Sequence, residues 1–279
     1  MADKKTGIAI AAAAAAAAII PGLPRDIDVT RYTVCSSKIH TPVRMMILSD
    51  LHNADYGMNM EDLMVKVLAE KPDLILMPGD MAEEHMHQDN TLVLMKALRD
   101  FPVYYSTGNH EEYRPDLEDL LKKFREAGVQ VLSYRNAVFA KGDTSLEIVG
   151  IPCRKHESDY SADDINRIYT TDNYRILLSH RPHFIDLYNH IDCQMVVSGH
   201  AHGGQWRIPG TNIGIAAPQQ GLLPKYISGV HTLDHSLLVI SRGLSRHYHY
   251  IPRLYNNPEI VVIDLIGREV EKQGAEVKS

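Results

Sequence analysis

Cysteine is scarce in this chain of 279 residues: there are three, at 35, 153 and 193, and no CxxC pair. That excludes a zinc ribbon and a disulfide framework, and leaves each cysteine as small apolar filler. Excess positive charge is also missing. Lys and Arg number 29 against 35 Asp and Glu, a net charge of -6, so no nucleic-acid partner is expected. There is no GxxxxGK[ST] loop, which removes the P-loop nucleotide hydrolases. No apolar run clearly reaches the ~20 residues that a spanning helix normally needs.

The nearest approach to such a run is at the N-terminus. Lys4 and Lys5 precede an apolar stretch at 7–20 that contains eight consecutive alanines at 11–18, and Pro21 and Pro24 end it. An uncleaved anchor, a secretory signal and a low-complexity tail all fit. The lysine-then-apolar order favours membrane association through residues 7–20, with the catalytic domain outside the cytoplasm. Asp3 and the shortness of the run argue the other way, toward a cytoplasmic protein. Residues 1–30 are therefore read as an apolar segment and linker, 31–265 as one domain, and 266–279 as a polar tail.

From residue 31 onward short apolar runs alternate with amphipathic segments. Strands are expected at 43–49, 73–77, 103–106, 130–133, 137–140, 146–151, 174–178, 195–197 and 260–265. Helices are expected at 61–70, 91–98, from Pro115 to the stop at Gly128, at 162–168 and near 183–189. The alternation predicts an α/β domain with a partly parallel sheet, since helices separate the early strands.

Histidine is abundant, with 15 copies. Five of the expected strands run directly into polar residues: Asp50-Leu51-His52, Gly79-Asp80, Gly108-Asn109-His110-Glu111, Ser179-His180 and Gly199-His200-Ala201-His202. The carboxyl ends of strands line the ligand crevice of open α/β sheets, so these side chains are candidates for one shared site. All are oxygen or nitrogen donors, a set that suits Zn, Mn or Fe. Each motif alone reads better as a strand-end cap or a core histidine than as a ligand. The five together, all of metal-ligand type, do not.

This combination resembles the calcineurin-like metallophosphoesterases, and GHAHGGQ at 199–205 resembles a bacterial, membrane-linked branch of them. The resemblance implies a four-layer α-β-β-α sandwich of two mixed sheets, the metallo-dependent phosphatase-like fold. It also implies two divalent metal ions (Mn, Zn or Fe) bridged by Asp80. Asp50, His52 and His202 would complete one site, and Asn109, His180 and His200 the other. A metal-bridging hydroxide would attack a phosphomonoester or phosphodiester, a lipid or envelope phosphoester being the candidate if the N-terminus is an anchor. His110 would stabilise the transition state or protonate the leaving group, while Glu111 would orient His110 or cap the following turn. Many relatives carry Asp where Glu83 stands, a departure expected to touch substrate detail rather than metal binding.

Arg181, Gly204, Tyr226 and Arg242 are candidate substrate contacts, with His183, Gly203 and Arg246 beside them. His85 with His87, and His247 with His249, have ligand-like spacing but no adjoining buried strand and carboxylate, and are read as a solvated loop and a stretch lining the site. The rival readings are a catalytically silent scaffold of the same fold that binds a protein, and a two-iron redox centre. Retention of every ligand together with His110 favours the hydrolase.

Overall fold

Residues 45–48 show why the strands read as unbroken apolar runs. Met45 and Ile47 face one core, Met46 and Leu48 face another, and all four are fully buried. A strand covered on both faces has no polar side to alternate with. The computed structural model describes residue 17 and residues 19–267, apart from 86, 88, 249 and 250.

In chain order the strands are β1 (Asp28–Ser36), β2 (Val43–Ile47), β3 (Leu74–Met77), β4 (Val103–Tyr105), β5 (Gln130–Val131), β6 (Arg135–Lys141), β7 (Thr144–Gly150), β8 (Tyr174–Leu178), β9 (Met195–Ser198), β10 (Ala216–Ala217), β11 (Gly221–Leu222), β12 (Gly229–Thr232), β13 (Leu237–Ile240), β14 (His247–Tyr248), β15 (Ile251–Pro252) and β16 (Glu259–Gly267). The helices are α1 (Glu61–Glu70), α2 (Asp89–Ala97), α3 (Asn109–Glu112), α4 (Leu117–Glu126), α5 (Ala162–Asn166) and α6 (Ile185–Tyr188).

One six-stranded sheet has the order β1-β16-β2-β3-β4-β5, the other β12-β13-β9-β8-β7-β6. Both are mixed. β2, β3, β4 and β5 run parallel, as do β7, β8, β9 and β13, while the β16–β2, β6–β7 and β12–β13 pairs are antiparallel. The sheets pack face to face through Met45, Ile47 and Leu76 on one side and Ile148, Ile176 and Val197 on the other. The outer face of the first sheet is covered by α1, α2 and α4, which insert Leu63 and Val67, Leu94, and Leu120 and Phe124. The outer face of the second takes Ile165 from α5 and Leu187 and Tyr188 from α6. The result is the four-layer α-β-β-α sandwich.

Amphipathic spacing explains the helices. In α4, Leu120, Leu121 and Phe124 are buried, Glu118 and Asp119 sit in the first turn and Lys123 and Arg125 in the last, which complements the helix dipole.

The boundaries differ from expectation in one important place. The proposed division at residue 30 falls inside β1, which pairs in parallel with β16 from Asp28↔Glu259 to Ser36↔Gly267. β1 is an edge strand of half-exposed, largely polar residues, so it lacks the apolar run that marks its neighbours. Residues 268–279, and most of the 7–20 stretch, lie outside the described residues. Among the described residues, no helix is long and apolar enough to cross a membrane.

Arg242, expected at the substrate, is committed to this edge instead. Its Nη2 lies 3.0 Å from Asp28 and 3.0 Å from Glu259, and its backbone N–H donates to Glu259 Oε2 at 3.0 Å. Taking one partner out of a buried ion pair strands the other, at a cost of roughly 3 kcal/mol. Arg242→Ala should lower the urea unfolding free energy by about that amount and leave KM unchanged. A raised KM with unaltered stability would restore the substrate role.

Candidate metal centre

The site forms where the carboxyl ends of β2, β3 and β4 in one sheet meet those of β8 and β9 in the other. Asp50 and His52 follow β2, Asp80 follows β3, Asn109 and His110 open α3 after β4, His180 follows β8, and His200 and His202 follow β9. Five of these residues leave their strands through left-handed backbone: φ is 50° at Asp50, 49° at His52, 52° at Asp80, 68° at His200 and 47° at His202. That conformation costs a non-glycine residue roughly 1–2 kcal/mol. Hydrogen bonds between neighbouring strand ends hold it. Asp50 N donates to Gly79 O at 3.1 Å, His52 N to Asp80 O at 3.1 Å, and His200 N to Asp50 Oδ1 at 2.9 Å. The fit is close: a Cβ at Gly108 would lie 2.1 Å from Asp80 Oδ1, and one at Gly199 2.2 Å from Asp50 Oδ2.

Two clusters result. Asp50, His52 and His202 form one, and Asp80, His180 and His200 the other; within each, the candidate ligand atoms lie within 4.8 Å of one another. Asp80 links them, its Oδ2 being 2.9 Å from His180 Nε2 and 3.8 Å from His52 Nε2. His110 also groups with His52 and Asp80.

The histidines are oriented by their other nitrogens. His180 Nδ1 donates to Pro78 O at 2.8 Å, and His202 Nδ1 contacts Ser245 Oγ at 3.0 Å. His52 Nδ1 donates to Glu83 Oε2 at 2.8 Å. In each ring Nε2 faces a carboxylate, at 3.8 Å for His52, 2.9 Å for His180 and 3.8 Å for His202. His200 is reversed: its Nδ1 lies 3.1 Å from His180 Nε2, and its Nε2 meets Gln219 Oε1. Arg181 Nη1 donates to the same Gln219 oxygen at 2.7 Å. An amide oxygen only accepts, so His200 carries its proton on Nε2 and turns a bare Nδ1 inward.

The donor chemistry fits divalent cations. Among the described residues, His52 Nε2 and Asn109 Oδ1 are buried without a hydrogen-bond partner. Asp50 and Asp80 are buried carboxylates, at 0% and 1% exposure, and such groups require compensating charge. Burial raises the Asp50 pKa, with Asp80 adding to the effect. Burial also acts to raise Asp80, but the His180 imidazole prevails and holds it well below the usual carboxylate range. Burial pushes His200 and His202 well below the ordinary imidazole value, with His180 and His52 respectively reinforcing it. These two imidazoles are neutral, the form that binds metal.

Glu83 requires a correction. It does more than touch substrate detail, since its carboxylate spans His52 Nδ1 and His110 Nδ1, at 2.8 Å from each. Arg114 holds the Glu83 carbonyl and meets Asp116. Glu111 caps α3, as one of its two expected roles has it, by accepting Gly108 N at 2.8 Å. It also accepts Asp80 N at 2.9 Å and Ala82 N at 2.8 Å, and so ties two strand ends together.

The remaining candidates divide. Arg181 is buried beside His200 and also donates to Cys153 Sγ at 3.2 Å. The His183 ring centroid is 6.2 Å from that of His200, and its pKa is lowered to about 4 by burial and then by Arg181. Gly204 faces backbone rather than a ligand, since a Cβ there would lie 2.5 Å from Gly214 Cα. Tyr226 packs on His231, with Lys225 over its ring, and Arg246 lies over Tyr56. His85 and His87 are exposed and join no ligand cluster among the described residues. His249 lies outside the described residues.

Buried carboxylates and inward-facing imidazoles, gathered at the strand ends of a double-sheet sandwich, form a centre suited to divalent cations. The sequence model for the calcineurin-like phosphoesterases matches residues 43–204, and the chain belongs to that family. It is 26% identical to an uncharacterized metallophosphoesterase of Campylobacter jejuni, over 81% of this chain and 60% of that protein. It is 25% identical to the phosphodiesterase YaeI of Escherichia coli, over 81% and 83%. It is 24% identical to a Danio rerio transmembrane protein with a metallophosphoesterase domain, over 80% and 53%. The chain thus spans about three-fifths of the first of these and about half of the last.

Partners that orient metal-ligating histidines are typically worth ~10–100-fold in metal affinity. Glu83→Ala should weaken metal binding by that order in a calorimetric titration. Unchanged affinity would mean that Glu83 does not position His52.

Proposed function

We propose that the chain hydrolyses a phosphodiester at a centre of two divalent ions, Mn, Zn or Fe. Asp50, His52 and His202 hold one, Asn109, His180 and His200 the other, and Asp80 both. The supporting observation is the Asp80 carboxylate standing between imidazole nitrogens that belong to two different clusters. Bound cations supply charge for the phosphoryl oxygens and lower the pKa of water, so that a nucleophile exists near neutral pH. The ligands leave a surplus of positive charge: two divalent cations meet two carboxylates and otherwise neutral donors. That surplus draws in an anionic ester.

His110 supplies the proton. Its ring stands edge-on to His52 with centroids 4.6 Å apart, and its Nδ1 is held by Glu83. Burial alone would lower its pKa, but Glu83 and then Asp80 outweigh it and push the value up to about 9. The Glu83 carboxylate thus places the ring to hold a proton and deliver it to the leaving oxygen. Diester preference is favoured by the likeness to YaeI, whose name records that activity. Likeness to the membrane-linked branch, and to a relative named as transmembrane, supports a location at a membrane through residues 7–20.

Chelated full-length protein should melt at a lower temperature and lose activity on bis-nitrophenyl phosphate. Added Mn²⁺ or Zn²⁺ should restore both, and activity that survives complete chelation would contradict the proposal. His110→Ala should keep its metal content and lose ~10²–10⁴ in kcat, least for esters with a nitrophenolate leaving group. Loss of metal from that variant would make His110 a ligand rather than an acid.

A further inference from the structure

The segment that carries His202 continues into an unusually apolar surface. Trp206, Ile208, Ile213, Ile215, Leu222 and Leu223 are all exposed, Leu222 by 78% and Leu223 by 66%. Backbone hydrogen bonds make them neighbours. Ile208 N donates to Ile213 O at 3.0 Å, Ile215 N to Trp206 O at 2.8 Å, and Leu223 N to Ile215 O at 2.9 Å. A second strip joins the first. Trp206 Nε1 donates to Pro252 O at 2.9 Å and Gln205 Nε2 to Ile251 O at 2.8 Å, and Ile251 is exposed. A third strip follows, where Tyr255 N donates to Gly22 O at 2.6 Å between exposed Ile20 and Leu23. Ile20, the last residue of the apolar 7–20 stretch, therefore stands beside this surface.

The exposed charge of the region leans positive. Of the five Lys and Arg at 201–258, Arg242 and Arg253 are buried and Arg207 is half-buried, so Lys225 and Arg246 stand exposed against the single acid, Asp234. Arg25 is exposed two positions after Leu23, beside an Asp26 that is paired with Lys66. Soluble surfaces rarely gather this much apolar side chain in one place. A partly exposed aromatic ring with its polar edge bonded, aliphatic residues beside it and cations in the same segments, is the composition of an interfacial membrane contact.

We propose that this rim, built on the 206–223 segment with Ile251, Tyr255 and Ile20–Leu23, docks on an anionic lipid bilayer. Docking sets the metal centre against the headgroup layer. Gln219, which orients His200, lies three residues before Leu222, and Asn256 Nδ2, next to Tyr255, donates to His202 O at 2.7 Å. The contact is separate from any hold exerted by residues 7–20, and it is read without hydrolysis, so its failure leaves the catalytic proposal standing.

Trp206 is the only tryptophan of the chain, which makes it a reporter on the rim itself. Full-length protein is mixed with vesicles of phosphatidylglycerol and phosphatidylcholine, or of phosphatidylcholine alone. With the anionic vesicles, Trp206 emission should move to the blue and be quenched by acyl-brominated lipid. The Leu222→Asp/Leu223→Asp double variant should keep its melting temperature, lose the quenching and partition roughly tenfold more weakly. Protein that pellets with vesicles while Trp206 emission stays unchanged would overturn the proposal and leave residues 7–20 as the sole contact. Equal responses to both vesicle types would overturn the anionic-lipid assignment. A blue shift that follows protein concentration without lipid would assign the rim to a second copy of the chain.

Discussion

A single carboxylate oxygen governs the architecture of this site. Asp80 Oδ2 lies 2.9 Å from His180 Nε2 and 3.8 Å from His52 Nε2, and those two imidazoles come from different sheets. The sandwich must bring the carboxyl ends of β3 and β8 together for this contact to exist. Left-handed backbone at five ligand positions and close packing at Gly108 and Gly199 follow from the same demand. A protein with a net stability of ~5–15 kcal/mol tolerates such strain only where packed cores surround it. Here cores lie on both faces of both sheets.

Orientation of the rings is the second layer of the design. Each of the four imidazoles has one nitrogen tied to an oxygen: Glu83 for His52, Pro78 O for His180, Gln219 for His200 and Ser245 for His202. That fixes the orientation of each ring and which nitrogen it turns toward the carboxylates or, for His200, toward His180. Glu83 extends the arrangement to His110, so His52 and His110 share one support. Arg253, fully buried, adds bonds to Ser245 Oγ at 3.0 Å and to His202 O at 3.4 Å. Desolvation lowers its pKa to about 10, which leaves it charged at neutral pH.

The strands that carry the ligands were readable because burial on both faces removes polar alternation, so each apolar run ends abruptly at its first functional residue. The same rule hid β1, an edge strand of polar and half-exposed residues that only its pairing with β16 identifies. Ligand types were legible from their positions at strand ends. Their supports were not, because Glu83 and Gln219 come from loops far in sequence from His52 and His200 and carry no local pattern. Arg242 was misplaced for a related reason. An arginine in a glycine-containing loop looks like a phosphate contact until Asp28 and Glu259 arrive beside it. The apolar rim carries no local pattern either, since its residues are scattered through short C-terminal strands and become one surface only after folding.

The central claim is that Asp80 serves two cation sites at once. A Mn²⁺ titration of metal-free protein, comparing wild type with Asp80→Asn, tests it most directly. The account predicts two ions per chain in the wild type and weakened binding of both in the variant. One ion per wild-type chain, or a variant that loses one site and keeps the other at full affinity, would contradict it.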